Sequence, residues 1–199
     1  MARASRAVAD QHRTAIEEAS ARLFRVHGLH GVSVAQVMAD AGLTHGGFYG
    51  HFSSKDELAA AGCARAFSDS AARWDQRIAQ VGGDRQTARR HLVEHYLSEG
   101  HRDTPEHGCP ASALGGDVAR EPAGKPVRSA YLDGIKQLLT AWKRVCVDED
   151  AGNPTALVEM ATLVGAITLA RATAGDAISD EILDAARDWL LNTEEAPSA

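Results

Sequence analysis

The chain has 199 residues, 44% of them hydrophobic, 5% aromatic and 24% charged, with a formal net charge of −6. That length holds one mid-sized unit, or a small domain fused to a larger one, and the hydrophobic share supports a real core. Few aromatics beside abundant alanine argue against a β-sandwich or barrel, and three scattered cysteines (Cys63, Cys109, Cys146) with no CxxC pair argue against a disulfide framework.

The charge is unevenly spread. Residues 1–60 carry six Lys/Arg against six Asp/Glu, together with five of the nine histidines, so the whole excess of acid lies in residues 61–199. A neutral head on an acidic body suits a reader of nucleic acid whose second part stays off the phosphates.

In chain order, residues 1–9 read as a loose basic arm in which Arg3 and Arg6 are candidates for the minor groove. No apolar stretch follows them, so no signal peptide is expected. From 10 to 28, Ile16, Ala19, Leu23 and Phe24 mark one face of a helix that stops at Gly28 and Gly31. Ser33 caps a short helix over 34–41, and Gly42 supplies a tight turn. Thr44 opens a third helix carrying Phe48, Tyr49 and Phe52. A fourth, starting at Lys55-Asp56-Glu57, runs to about residue 81.

Further helices are expected at about 86–99, 110–120, 127–147, 155–175 and 179–192. Residues 100–108 and 148–154 read as loop and turn, and the last few residues as disordered. No strand-like alternation extends beyond a few residues. The longest strongly apolar uncharged run, residues 160–170, is short of the about 20 residues that cross a bilayer. The expected fold is all-α, with no membrane partner and a cytoplasmic location.

The run Thr44-His-Gly-Gly-Phe-Tyr-Gly-His-Phe52 carries the most chemistry. Behind a helix and a glycine turn, it reads as the second half of a helix-turn-helix, whose reading helix lies in a major groove about 12 Å wide. Gly46 and Gly47 keep its backbone slim. Thr44, Tyr49, His51 and Lys55 suit phosphate oxygens, His45 suits a base edge or a phosphate, and Ser33 lies on the same side. Phe48 and Phe52 turn inward.

Gly28, the segment Ser33-Val-Ala-Gln-Val-Met-Ala-Asp-Ala-Gly-Leu43 and the segment Thr44-His-Gly-Gly-Phe-Tyr-Gly-His-Phe-Ser-Ser-Lys-Asp-Glu-Leu58 closely resemble the TetR-type transcriptional regulators over about residues 10–60. Lysine is frequent there where His45 stands, and histidine where Gly50 stands. The resemblance implies a homodimer of about nine helices per subunit. An N-terminal three-helix DNA-binding domain (1–55) would precede a helical effector-binding and dimerisation domain (56–199). It further implies a repressor released from a palindromic double-stranded operator by a small molecule, with no enzymatic activity, cofactor or metal.

In the body, Trp74, His95, Tyr96, Leu114, Tyr131, Leu138 and Trp142 are candidates to line an effector pocket. Cys109, just before a helix start and beside His107, is a candidate electrophile or redox sensor. Leu157, Ala161, Val164, Gly165 and Thr168, with Ile182 and Trp189, would build a dimer face of small and apolar side chains. One competing pattern remains: His91-Leu-Val-Glu-His95 matches a zinc-peptidase signature in which Glu94 is the base and Glu159 a third ligand. It would otherwise serve as a metal sensor.

Overall fold

Alternating helical stretches and glycine stops produce an all-helical chain. The computed structural model describes residues 2–82, 84–146 and 153–192, the side chains of 2–5 and 153 excepted. Among these residues the α-helices are α1 (Ala2–His27), α2 (Val34–Asp40), α3 (Lys55–Gln80), α4 (Arg85–Tyr96), α5 (Glu99–Asp103), α6 (Pro110–Arg120), α7 (Pro126–Lys143), α8 (Asn153–Ala172) and α9 (Ala177–Asn192). Short 3-10 helices occupy His45–Gly50 and Pro105–His107.

Several expectations are corrected. Residues 2–9 of the arm expected at 1–9 belong to α1, because Ala2, Ala4, Ala7 and Ala9 carry helix propensity that a charge-based reading overlooks. The segment expected to be a third α-helix is the six-residue 3-10 turn His45–Gly50, in which three of six residues are glycine and a longer helix would cost backbone entropy. The stretch expected to be loop at 100–108 holds α5, capped by Ser98 Oγ on the His101 N–H at 3.2 Å, and then the second 3-10 turn. The turn expected at 148–154 and the tail beyond 192 lie largely outside the described residues, as does the Arg3 side chain.

The chain forms two compact units, residues 1–69 with 109–135 and residues 70–108 with 136–199. In the first, Ile16, Ala19 and Phe24 of α1 are buried along with Val37 and Met38 of α2, Phe48, Phe52 and Leu58. In the second, the core includes Trp74, Leu92, Val93, Leu138, Trp142, Leu163, Ile167, Leu183 and Leu190. Within it lies an ion pair: Arg89 (3% exposed) and Glu159 (6% exposed) meet at 2.6 Å. Arg89 also donates to the Leu190 carbonyl at 3.0 Å, and Trp142 Nε1 donates to Glu159 at 2.8 Å. This polar knot joins α4, α7, α8 and α9.

The 19 residues Pro154–Ala172 of α8 are long and apolar enough to cross a membrane by length and composition. The uncharged-run argument missed this because Glu159 interrupts the run. That glutamate is buried against Arg89, while Leu157, Val158 and Leu169 of the same helix are exposed.

Candidate nucleic-acid interface

The head is built by its caps. Ser33 and Gln36 form a reciprocal capping box on α2: the Ser33 N–H donates to Gln36 Oε1 at 2.8 Å, and the Gln36 N–H donates to Ser33 Oγ at 3.2 Å. At the far end Gly42 has φ +72°, the left-handed conformation that lets the Leu43 N–H reach the Met38 carbonyl at 2.8 Å. The chain leaves α2 through this turn into His45–Gly50. A related set of bonds opens α3, where Glu57 accepts from the Ser53 N–H and Oγ, both at 2.8 Å, and its own N–H donates to Ser54 Oγ at 3.1 Å. These bonds from Ser53, with the nearby Arg13 cation, lower the Glu57 pKa.

Between the two caps the side chains divide by side. Phe48 is buried and stacks on Phe52 with ring centroids 5.9 Å apart, and the Arg13 guanidinium lies 4.3 Å from the centre of the Phe52 ring. Thr44, His45, Gly46, Gly47 and Gly50 are exposed, and Tyr49 is 75% exposed. Thr44 stands at the start of the turn with no side-chain cap hydrogen bond, so its hydroxyl points to nothing in the turn. A Cβ added at Gly46 or Gly50 would meet no heavy atom within 4 Å, and one at Gly47 would make an ordinary contact with Met38 at 3.7 Å. None of the three has a positive φ. The packing of this chain does not require glycine at these places.

Ser33 and Lys55 are also exposed, although the Ser33 hydroxyl is committed to Gln36. His51 is half-buried, edge-on to His12 at 5.9 Å, and its carbonyl accepts from Arg13. Sequence reasoning missed Arg13 as the brace of this segment. Its signal was faint, one of five arginines on the first helix, whose partners Glu57, His51 and Phe52 lie some forty positions on.

The candidate effector residues fall in both units. In residues 70–108 with 136–199, Trp74, Tyr96 and Trp142 form a buried aromatic cluster, with Trp74 6.0 Å from Tyr96 and 5.9 Å from Trp142. Leu138 is buried in this unit, and His95 is exposed beside the cluster. In residues 1–69 with 109–135, Tyr131 packs edge-on to Phe67 at 5.3 Å and donates to the Ala111 carbonyl at 2.9 Å. Burial pushes its pKa up to about 12. It borders an open groove of 490 Å³ with Val118, Leu132 and Ile135. Leu114 is fully buried, and Cys109, the N-cap residue of α6, is 2% exposed.

Of the candidate dimer residues, Leu157, Ala161, Thr168 and Trp189 are exposed, and Val164, Gly165 and Ile182 half-buried. The metal pattern is not assembled as expected. Glu94 pairs with Arg90 at 3.9 Å, and Glu159 is held by Arg89 in the core. Among the described residues no group of three His, Cys, Asp or Glu side chains could hold a metal ion.

Residues 16–61 match the family model for bacterial regulatory proteins of the tetR family. No curated protein matches the chain. Among solved structures, a TetR-family transcriptional regulator from Cytophaga hutchinsonii is 21% identical with a TM-score of 0.74, covering 92% of this chain and 94% of its own. The reduced form of NemR from E. coli is 18% identical with a TM-score of 0.73, covering 91% and 95%. FadR from Bacillus subtilis, in complex with stearoyl-CoA, is 12% identical with a TM-score of 0.65, covering 89% and 97%. At these identities the likeness is one of fold.

Proposed function

Because the chain carries the DNA-binding domain of the tetR family of bacterial regulatory proteins, we propose that it is a one-component repressor that binds a palindromic operator as a homodimer. A small molecule would release it. The observation that carries this reading is the bare edge of the 45–50 turn. No internal contact requires its glycines, so their smallness is explained by an external surface approaching the backbone, flanked by Thr44, His45, Tyr49 and Lys55. Reading a chromosome places the protein in the cytoplasm.

A second copy solves the problem that one short turn makes too few base contacts. Leu157, Ala161 and Thr168 recur at helical spacing on α8, exposed, and a Cβ at Gly165 would meet nothing within 4 Å. Such a face of small and apolar groups suits a helix of a symmetric partner. The stearoyl-CoA bound by the FadR relative supports a small-molecule effector. Burial of Cys109 favours a reversible ligand over reaction with an electrophile.

Selection of bound sequences from a random duplex pool tests the whole reading. The expected result is a palindrome whose half-sites are about one helical turn, 34–36 Å, apart. A monomer that enriches no duplex would overturn it.

A further inference from the structure

In the unit formed by residues 70–108 and 136–199, two arginines meet no acid among the described residues. Arg73 and Arg77 lie one turn apart on the same face of α3. Arg73 donates to the His107 carbonyl at 3.0 Å. Arg77 donates to the Arg73 carbonyl at 3.4 Å and, through Nη2, to His95 Nε2 at 2.8 Å. Among the described residues neither guanidinium is in an ion pair, whereas Arg89, Arg90, Arg102, Arg144 and Arg187 of the same unit each meet a carboxylate. In a body with an excess of acid, two neighbouring guanidiniums outside any described ion pair form a cationic patch.

The surrounding groups sharpen it. An arginine has only donors, so His95 Nε2 must accept, which makes His95 the neutral Nδ1–H tautomer. Its ring stacks on His101 at 6.1 Å, and His101 Nδ1 donates to the Tyr96 carbonyl at 2.6 Å. Burial holds His101 neutral, with a pKa down to about 4. Burial, then Arg77 and Arg73, lower the pKa of His95, and burial and Arg73 lower that of Arg77. The charged or titratable groups facing His95 are thus Arg73 and Arg77 from α3 and His101 from α5, with Arg171 of α8 acting on His101. All are cationic or neutral. His95 is exposed and the two arginines are half-buried, so solvent reaches the cluster.

We propose that Arg73, Arg77 and His95 form an oxyanion site that takes the carboxylate or phosphate group of the effector. Two planar forks with no ion-pair partner among the described residues can each offer paired N–H groups to oxygen. As the anion arrives, Arg77 turns its donor from His95 to the ligand. Nε2 then accepts a proton from solvent and becomes a further donor, so anion binding takes up a proton and tightens as pH falls through the His95 titration. The assignment rests on the regulator reading only in naming the ligand as an effector; the anion site stands without it.

The test follows the histidine ring signals of the full-length protein by NMR across pH, in inorganic phosphate, in acetate and in chloride at equal ionic strength. The expected result is an upward move of the His95 titration in at least one oxyanion. Phosphate alone assigns a phosphate group, and acetate alone a carboxylate. Arg77→Gln and Arg73→Gln should each weaken binding on the order of tenfold, Arg77→Lys less, and Arg144→Gln not at all. A His95 titration the same in all three salts overturns the site, and so does an equal response in Arg77→Gln. Duplex binding is measured on the same samples. Wild-type protein that binds no duplex would sink the regulator reading while leaving the titration result standing.

Discussion

The Asp117 carboxylate accepts the Leu29 N–H at 2.8 Å, so α6 anchors the chain just past the end of α1. The junction is close: a Cβ on Gly28, which has φ +75°, would lie 2.5 Å from Asp117 Oδ2. Helix α6 thereby grips the head at the point where α1 stops, and His30 and Glu121, 2.8 Å apart, add a contact nearby.

Asp117→Ala should therefore cost about 2 kcal/mol, the range for a hydrogen bond to a charged group. Urea unfolding reads it. Midpoints equal to wild type would mean that this anchor carries no stability.

Gly46→Ala should leave stability within about 0.5 kcal/mol, because the added methyl meets nothing and no positive φ is disturbed. Affinity for the selected duplex should fall by roughly tenfold as the backbone is held off the groove. Fluorescence anisotropy with the duplex, beside a melting curve, measures both. Intact affinity would remove Gly46 from the interface.

The buried pair offers a sharper test of packing. Arg89→Met leaves Glu159 charged in the core with only Trp142 and Cys146 beside it. The expected loss is about 3–5 kcal/mol. Changing Arg89 and Glu159 together to apolar residues of similar volume should recover most of it in the same denaturation experiment.

His101 sets an acid limit. Its folded pKa of about 4 lies below the ordinary 6.5, so its neutral form is the one the fold accepts. The stability it confers is fully present above about pH 6.5 and is lost as pH falls toward 4, by a few kcal/mol in total. His101→Asn, which keeps a donor for the Tyr96 carbonyl, should unfold at lower pH than wild type while matching it near pH 8. Parallel acid unfolding curves for the two proteins would refute this.

Ala161→Glu places a charge on the exposed face of α8. Sedimentation should show a dimer for wild type and a monomer for the variant, with duplex affinity falling together with assembly. A variant that stays dimeric would move the interface elsewhere.

Much of the head could be read directly from the residues. Gly28 and Gly42 mark turns that need left-handed backbone, Ser33 caps α2, and the inward Phe48 and outward Tyr49 follow from helical phase. These are local effects, confined to a few neighbouring residues. The six-residue 3-10 turn was less legible, since glycine permits several tight geometries and only the packing of Phe48 on Phe52 selects one. In the body, the apolar periodicity of α8 was plain, yet nothing near Glu159 in the chain indicates that its partner is Arg89, seventy positions earlier.

By itself, then, the order of residues dictated where helices start and stop and which turn presents a bare glycine edge, because caps, glycine φ values and helical phase act over a single turn. Which distant charges meet came only with the folded chain. Asp117 anchoring Leu29, Arg89 finding Glu159, and Arg73 and Arg77 finding no acid among the described residues all depend on helices brought together across long stretches of sequence. Ionic contacts are decided by distance in space, and a linear pattern carries almost none of that information.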